Sequence, residues 1–258
     1  MLFTDQMGRE IEFAAPPRRI ISLVPSQTEL LYDLGLREEV VGITKFCIHP
    51  SVWYREKQRV GGTKQYDFDT IAALQPDLII GNKEENDQEQ IERLMELYPV
   101  WMSDIYTLPD ALSMIRSIGA LVDRQVAATQ LEDQIQDGFQ KLPAGALPKV
   151  VYLIWNQPIM GAGVDTFIDD ILGLCGFVNL LSSHPRYPSL TAAELQALEP
   201  EVLLLSSEPF PFKQKHIQYF QALLPNTKIV LVDGEAFSWY GSRLLKTIPY
   251  LMELTRNI

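Results

Sequence analysis

The sequence predicts an α/β protein made of two Rossmann-like lobes with parallel sheets, joined by one long backbone helix. Three observations lead there. Short β-branched runs alternate with amphipathic stretches, the pattern of parallel strands linked by crossover helices. Leu74-Gln-Pro-Asp-Leu-Ile-Ile80 returns later as Leu198-Glu-Pro-Glu-Val-Leu-Leu204, in a set of three matches that keep their order. Between the two sets, Pro109 to Lys141 carries apolar residues near helical spacing and no strand pattern.

The first-lobe strands are expected at Arg19 to Leu23, Val40 to Ile43, Asp77 to Ile80 and Val100 to Ser103, and the second-lobe strands at Lys149 to Leu153, Glu201 to Leu205 and Lys228 to Val232. Arg18 to Leu23 answers Pro148 to Leu153, and the strand ending at Asp104 answers the one ending at Asp233, which favours two copies of one unit. In the middle stretch Leu112, Ile115, Ile118, Val122, Val126, Leu131, Ile135 and Phe139 stand close to helical spacing. Pro109 suits its first turn, and Pro143 and Gly145 stop it. A single helix there would be on the order of 50 Å long and would act as a strut. The alternative is two shorter helices broken near Gly119. The expected organisation is an N-terminal lobe over 1–108, a linking helix over 109–142 and a C-terminal lobe over 143–258.

The chain has 258 residues, with 22 basic against 33 acidic side chains and a net charge of −11, which speaks against a nucleic-acid binder. At 47% hydrophobic and 21% charged it has the composition of a folded protein, not of a disordered chain or a fibre. No apolar run approaches the roughly 18 residues that span a bilayer. Cys47 and Cys175 lie far apart, so a disulfide framework is not expected. Met1-Leu-Phe-Thr-Asp5 shows no basic segment, apolar core or cleavage site, which leaves a cytoplasmic protein or a trimmed exported one as the two expectations.

Ligands of open parallel sheets bind beyond the carboxyl ends of the strands. Those loops carry Phe46, His49, Glu84 and Glu85 in the first lobe, and Trp155, Tyr187, Phe237 and Trp239 in the second. Two such lobes would present rings and carboxylates to a large, flat, partly polar ligand. For Phe46, Trp155, Tyr187, Phe237 and Trp239, ligand contact and plain packing both remain open. Cys47-x-His49 with Glu84 or Glu85 offers a soft metal pair, or else a loop histidine beside a buried thiol. His184 reads as a loop residue and His216 as a solvated one. The chain lacks G-x-S-x-G, H-E-x-x-H, a Walker loop and G-x-G-x-x-G opening a helix, so no catalytic residue is assigned and an enzyme is not expected.

Several stretches together resemble a known family: Asp5-Gln-Met-Gly-Arg-Glu-Ile11, Arg19-Ile-Ile-Ser-Leu-Val-Pro-Ser-Gln-Thr-Glu29, Val60-Gly-Gly62, Leu74-Gln-Pro-Asp77, Trp155-Asn-Gln-Pro158, Gly163-Val-Asp-Thr166 and Leu198-Glu-Pro200. The chain is similar to the helical-backbone (class III) substrate-binding proteins of ABC transporters, most of all to their cobalamin-binding branch. The resemblance implies a bilobed receptor that captures a corrinoid, haem or ferric chelate as ligand rather than resident cofactor. It further implies a monomer that works in the periplasm or at the cell surface and hands its cargo to an ABC permease. By position it implies ligand contacts at Phe46, Met160, Tyr187 and Phe237, and a permease-docking carboxylate at Asp69. In the second lobe Ala193 occupies the docking position and Glu194 stands one place along. The competing expectation is a cytosolic metal-handling protein or enzyme that uses the same loops.

Overall fold

The computed structural model describes residues 1–143 and 148–258. Gly145, expected as a helix stop, lies outside the described residues. The chain divides into two compact units. Unit 1 takes Met1–Asp104, Pro109–Gln134 and Tyr240–Arg243, and unit 2 takes Ile105–Leu108, Ile135–Trp239 and Leu244–Ile258.

Unit 1 opens with the antiparallel pair β1 (Leu2–Thr4) and β2 (Glu10–Glu12). Asp5 anchors this hairpin, because its buried carboxylate accepts hydrogen bonds from the Arg9 side chain and from the amides of Met7, Arg9 and Met102. There follow β3 (Ile20–Ser22), α1 (Pro25–Asp33), β4 (Val40–Ile43), α2 (Ser51–Glu56), β5 (Gln58–Arg59), α3 (Phe68–Leu74), β6 (Leu78–Asn82), α4 (Gln88–Met95) and β7 (Val100–Ser103). The five strands β3 to β7 form an all-parallel sheet in the order β5-β4-β3-β6-β7. Their apolar faces explain the helices laid over them: Ile21, Leu23, Ile79 and Met102 of the sheet region bury against Ile71, Ile91 and Leu94 of α3 and α4.

The stretch expected as one backbone helix is two, α5 (Leu108–Leu121) and α6 (Gln125–Phe139). The break falls at Asp123, whose φ of 57° is left-handed, and not at Gly119. Gly119 has a different job. A Cβ there would sit 2.2 Å from the Cβ of Ala128, so the glycine lets α5 and α6 approach closely. Arg116 of α5 and Glu132 of α6 pair across the same contact. The division between units falls inside α6, after Gln134.

Unit 2 continues with β8 (Lys149–Trp155), β9 (Ile159–Gly161), α7 (Phe167–Leu174), β10 (Val178–Asn179), β11 (Ser189–Leu190), α8 (Ala192–Ala197), β12 (Val202–Ser206), α9 (Gln214–Leu223), β13 (Lys228–Val232), α10 (Glu235–Ser238) and α11 (Leu244–Asn257). Its sheet runs β11-β9-β8-β12-β13, with β10 also on β8. The β8, β10, β12 and β13 pairings are parallel, and β9 and β11 form an antiparallel edge.

The repeated sequence segment is a repeated device. A left-handed residue follows both α3 and α8: Gln75 as the cap of α3 and Glu199 one place past the cap of α8, both at φ 46°. A proline follows, then an acid. Asp77 accepts the amides of Arg18 and Arg19 at 2.7 Å, and Glu201 accepts the amide of Lys149 at 2.6 Å, each at the start of its lobe's first long parallel strand. The acid thereby fixes the register between neighbouring parallel strands, which accounts for the motif's return in the second lobe.

Candidate functional site

In the sheet of unit 1 the chain leaves β3 towards β4 on one side and β6 on the other, so the carboxyl end of β3 is a topological switch point. Pro25 opens α1 there, and the loops after β4, β5 and β6 flank it. Phe46, after β4, stands out as 50% exposed. Gly62 lies directly beneath its ring, since a Cβ at that position would come within 3.2 Å of it. The Lys45 ammonium sits 5.1 Å from the ring centroid. Lys64 donates to the carbonyl of Glu84 at 3.0 Å, tying the loop after β5 to the loop after β6.

Asn82 Oδ1 accepts the amides of both Glu84 and Glu85, which turns that loop sharply. The Glu84 side chain is exposed, and Glu85 accepts a hydrogen bond from the Tyr240 hydroxyl at 2.9 Å. Burial, together with Glu85, drives the Tyr240 phenol well above its ordinary range, so it stays protonated as the donor. Tyr240 was not visible as a site residue in the sequence, because its role depends on residues 240–243 belonging to unit 1.

Cys47 and His49 sit in different surroundings. Cys47 is fully buried, with its sulfur 3.1 Å from Thr28 Oγ1 and 3.2 Å from Thr44 Oγ1, and burial pushes its thiol up to about 11. His49 is only half-buried, two residues further along the loop. Among the described residues no group of three His, Cys, Asp or Glu side chains is arranged to hold a metal ion.

In unit 2, Trp155 at the end of β8 is 38% exposed and packs edge-on against Phe210 at 5.5 Å. Met160 is half-buried on β9, paired with Ser189 of β11. Tyr187 is half-buried, and the Arg186 guanidinium lies 5.4 Å from both its ring and that of Tyr106. For Phe237, where ligand contact and packing are both open in the sequence and the resemblance implies a contact, the structure shows packing. The ring is fully buried and tilted against Tyr152 at 5.0 Å, so it packs the core under α10. Trp239 is 9% exposed, and its indole N–H donates to Glu208 Oε1 at 2.9 Å. His216 is also corrected: it is buried, stacked edge-on to Phe210 and Phe212, and its Nδ1 accepts the Lys213 amide as a helix cap.

The two docking carboxylates differ. Asp69 is exposed in the first turn of α3, where Asp67 does the capping. Glu194 is exposed too, but its carboxylate closes a capping box by accepting from the amide and hydroxyl of Thr191. That internal use withdraws it from the docking role.

The model of the family described as periplasmic binding protein matches residues 20–222. The vitamin B12-binding protein of Pectobacterium carotovorum is 25% identical over 239 residues, covering 90% of this chain and 86% of its own. Among solved structures, the periplasmic vitamin B12-binding protein of Vibrio cholerae superposes with a TM-score of 0.78 at 22% identity, covering 94% of this chain and 98% of its own. The periplasmic heme-binding protein of Roseiflexus sp. RS-1, in its apo form, gives 0.77 at 20% identity, covering 93% and 97%. These two structures establish the shared bilobed α/β fold. Among the described residues no helix is long and apolar enough to cross a membrane. With its matched span taking in most of both parallel sheets, the chain belongs to the periplasmic binding protein family.

Proposed function

We propose that this chain is the substrate-binding component of an ABC importer and captures a metal chelate of the corrinoid, haem or ferric-siderophore kind. The observation that carries the reading is the pair of rings left in solvent at strand ends, Phe46 in unit 1 and Trp155 in unit 2. Large rings at such positions lose contact with water only when something flat covers them. The naming of relatives as vitamin B12-binding and heme-binding proteins supports the same ligand class. In this reading His49, Glu84 and Glu85 accompany Phe46 in unit 1, and Met160, Tyr187 and Trp239 accompany Trp155 in unit 2. The receptor works alone outside the cytoplasmic membrane, and Asp69 is the carboxylate it offers to its permease.

The test is an absorbance and thermal-shift screen with cyanocobalamin, hemin and ferrichrome. A chelate present at 100 times its dissociation constant should stabilise the fold by about 2.7 kcal/mol and raise the melting temperature. Absence of any shift with all three probes would overturn the reading.

A further inference from the structure

Glu208 lies on the loop after β12, outside every residue set discussed so far as ligand-contacting. It is half-buried, and one of its oxygens gathers two donors from the loop after β13. Trp239 Nε1 is 2.9 Å from Oε1, and Ser238 Oγ is 3.0 Å from the same atom. The backbone beneath is equally constrained. Ser206 Oγ donates to the Glu208 carbonyl at 2.5 Å and accepts from the Tyr152 hydroxyl at 3.0 Å, while the Gly234 amide donates to Ser207 Oγ. A side chain at Gly234 would strike Glu208 Cγ at 2.5 Å, so the two loops are in direct contact.

We infer that Glu208 is a positioning residue for Trp239: its carboxylate joins the loops after β12 and β13 and fixes the orientation of the indole ring that the ligand meets. The second half of that statement rests on the reading of the chain as a chelate receptor. An indole has a single donor, so one well-placed acceptor sets the ring's rotation about its attachment. A charged acceptor does so more strongly than a neutral one. The groups that face the Glu208 carboxyl are Asp233 and Glu235 on the neighbouring turn, Ser238 and Trp239 as donors, and the Tyr152 phenol, which feels its charge. Burial and the two acids raise Glu208 above the ordinary glutamate value of 4.5, and the two donors oppose them. The latch is therefore weakened by acid earlier than an exposed glutamate would be.

The experiment combines a binding cycle with a titration that needs no ligand. Titration with cyanocobalamin and hemin is carried out on the wild type, Glu208→Ala, Trp239→Phe and the double variant. Glu208→Ala should weaken binding by about tenfold in the wild-type background, the scale of one hydrogen bond to a charged group, and should have no further effect beside Trp239→Phe, which lacks the donor. Glu208→Gln keeps an acceptor and should restore most of the affinity. Separately, the Trp239 fluorescence, taken as wild type minus Trp239→Phe, should show a pH transition above 4.5 that vanishes in Glu208→Gln. Equal losses in both backgrounds, no loss from Glu208→Ala, or a transition that survives Glu208→Gln would each overturn the assignment. Should the wild type bind ferrichrome alone, the cycle is run with that chelate; should it bind none of the three, the receptor reading falls on that result, and the ligand-free titration still decides whether Glu208 holds the indole.

Discussion

Phe46 and Phe237 carry the same side chain in opposite settings, one half in solvent and one fully buried. Truncation should separate them. Phe237→Ala leaves a cavity against Tyr152 and is expected to cost about 3 to 5 kcal/mol of stability. Phe46→Ala should change stability by less than about 0.5 kcal/mol. It should instead weaken chelate binding by about 1 to 3 kcal/mol. Urea unfolding and chelate titration on both variants check this, and a large stability loss at Phe46 would remove it from the binding face. Cys47 adds a pH signature. Its thiol stays protonated in the folded protein up to about 11, whereas an unfolded thiol ionises near 9.0. Above pH 9 the native state then binds more protons than the unfolded one, so stability falls as pH rises through that window. Cys47→Ala should flatten the fall, and an unchanged slope would assign it to other groups.

At the scale of elements, the α5–α6 contact gives a test in which propensity and packing disagree. Gly119→Ala improves helix propensity by about 1 kcal/mol. The new methyl group meets Ala128 at 2.2 Å, however, and overpacking of that kind costs about 1 to 3 kcal/mol. Net destabilisation is expected in thermal melts, with Gly119→Ala plus Ala128→Gly recovering part of it; a more stable single variant would mean that the helices are free to separate. The same region shows what sequence can and cannot express. All seven expected strands are present because each is a short apolar run, fully buried in Leu78–Asn82 and Val202–Ser206 and only partly so in Lys228–Val232. The two-residue strands β5, β10 and β11 carry too few side chains to set a period. The position of the helix break, which the two-helix alternative put near Gly119, escaped because an aspartate in the left-handed region leaves the apolar spacing on either side intact.

At the scale of the molecule, the lobe boundaries of the sequence are simple cuts, while the compact units exchange short segments. The strand-end rule brought out Phe46 and Trp155, since both follow strands legible in the sequence. Glu208, Tyr240 and the burial of Phe237 depend on contacts between loops far apart in the chain, for which no local pattern exists. Residues 240–243 are the sharpest case. They arrive in unit 1 from the C-terminal part of the chain, and Arg243 Nε and Nη2 reach the Glu29 carboxylate at 2.7 and 3.1 Å, with side-chain exposures of 13% and 5%. Such a pair contributes little against apolar replacements of similar volume, yet removal of one partner strands a buried charge and costs about 3 to 5 kcal/mol. Arg243→Leu should therefore destabilise the protein strongly, and Glu29→Met with Arg243→Leu should recover most of the loss in urea unfolding. By the same logic a fragment ending at residue 142 keeps Glu29 and loses Arg243 and Tyr240, so it should fold less cooperatively than its own sheet would allow, and Glu29→Met should improve it. A single-variant cost below about 1 kcal/mol would mean that other groups serve the Glu29 carboxylate and that the first lobe does not depend on the returning segment.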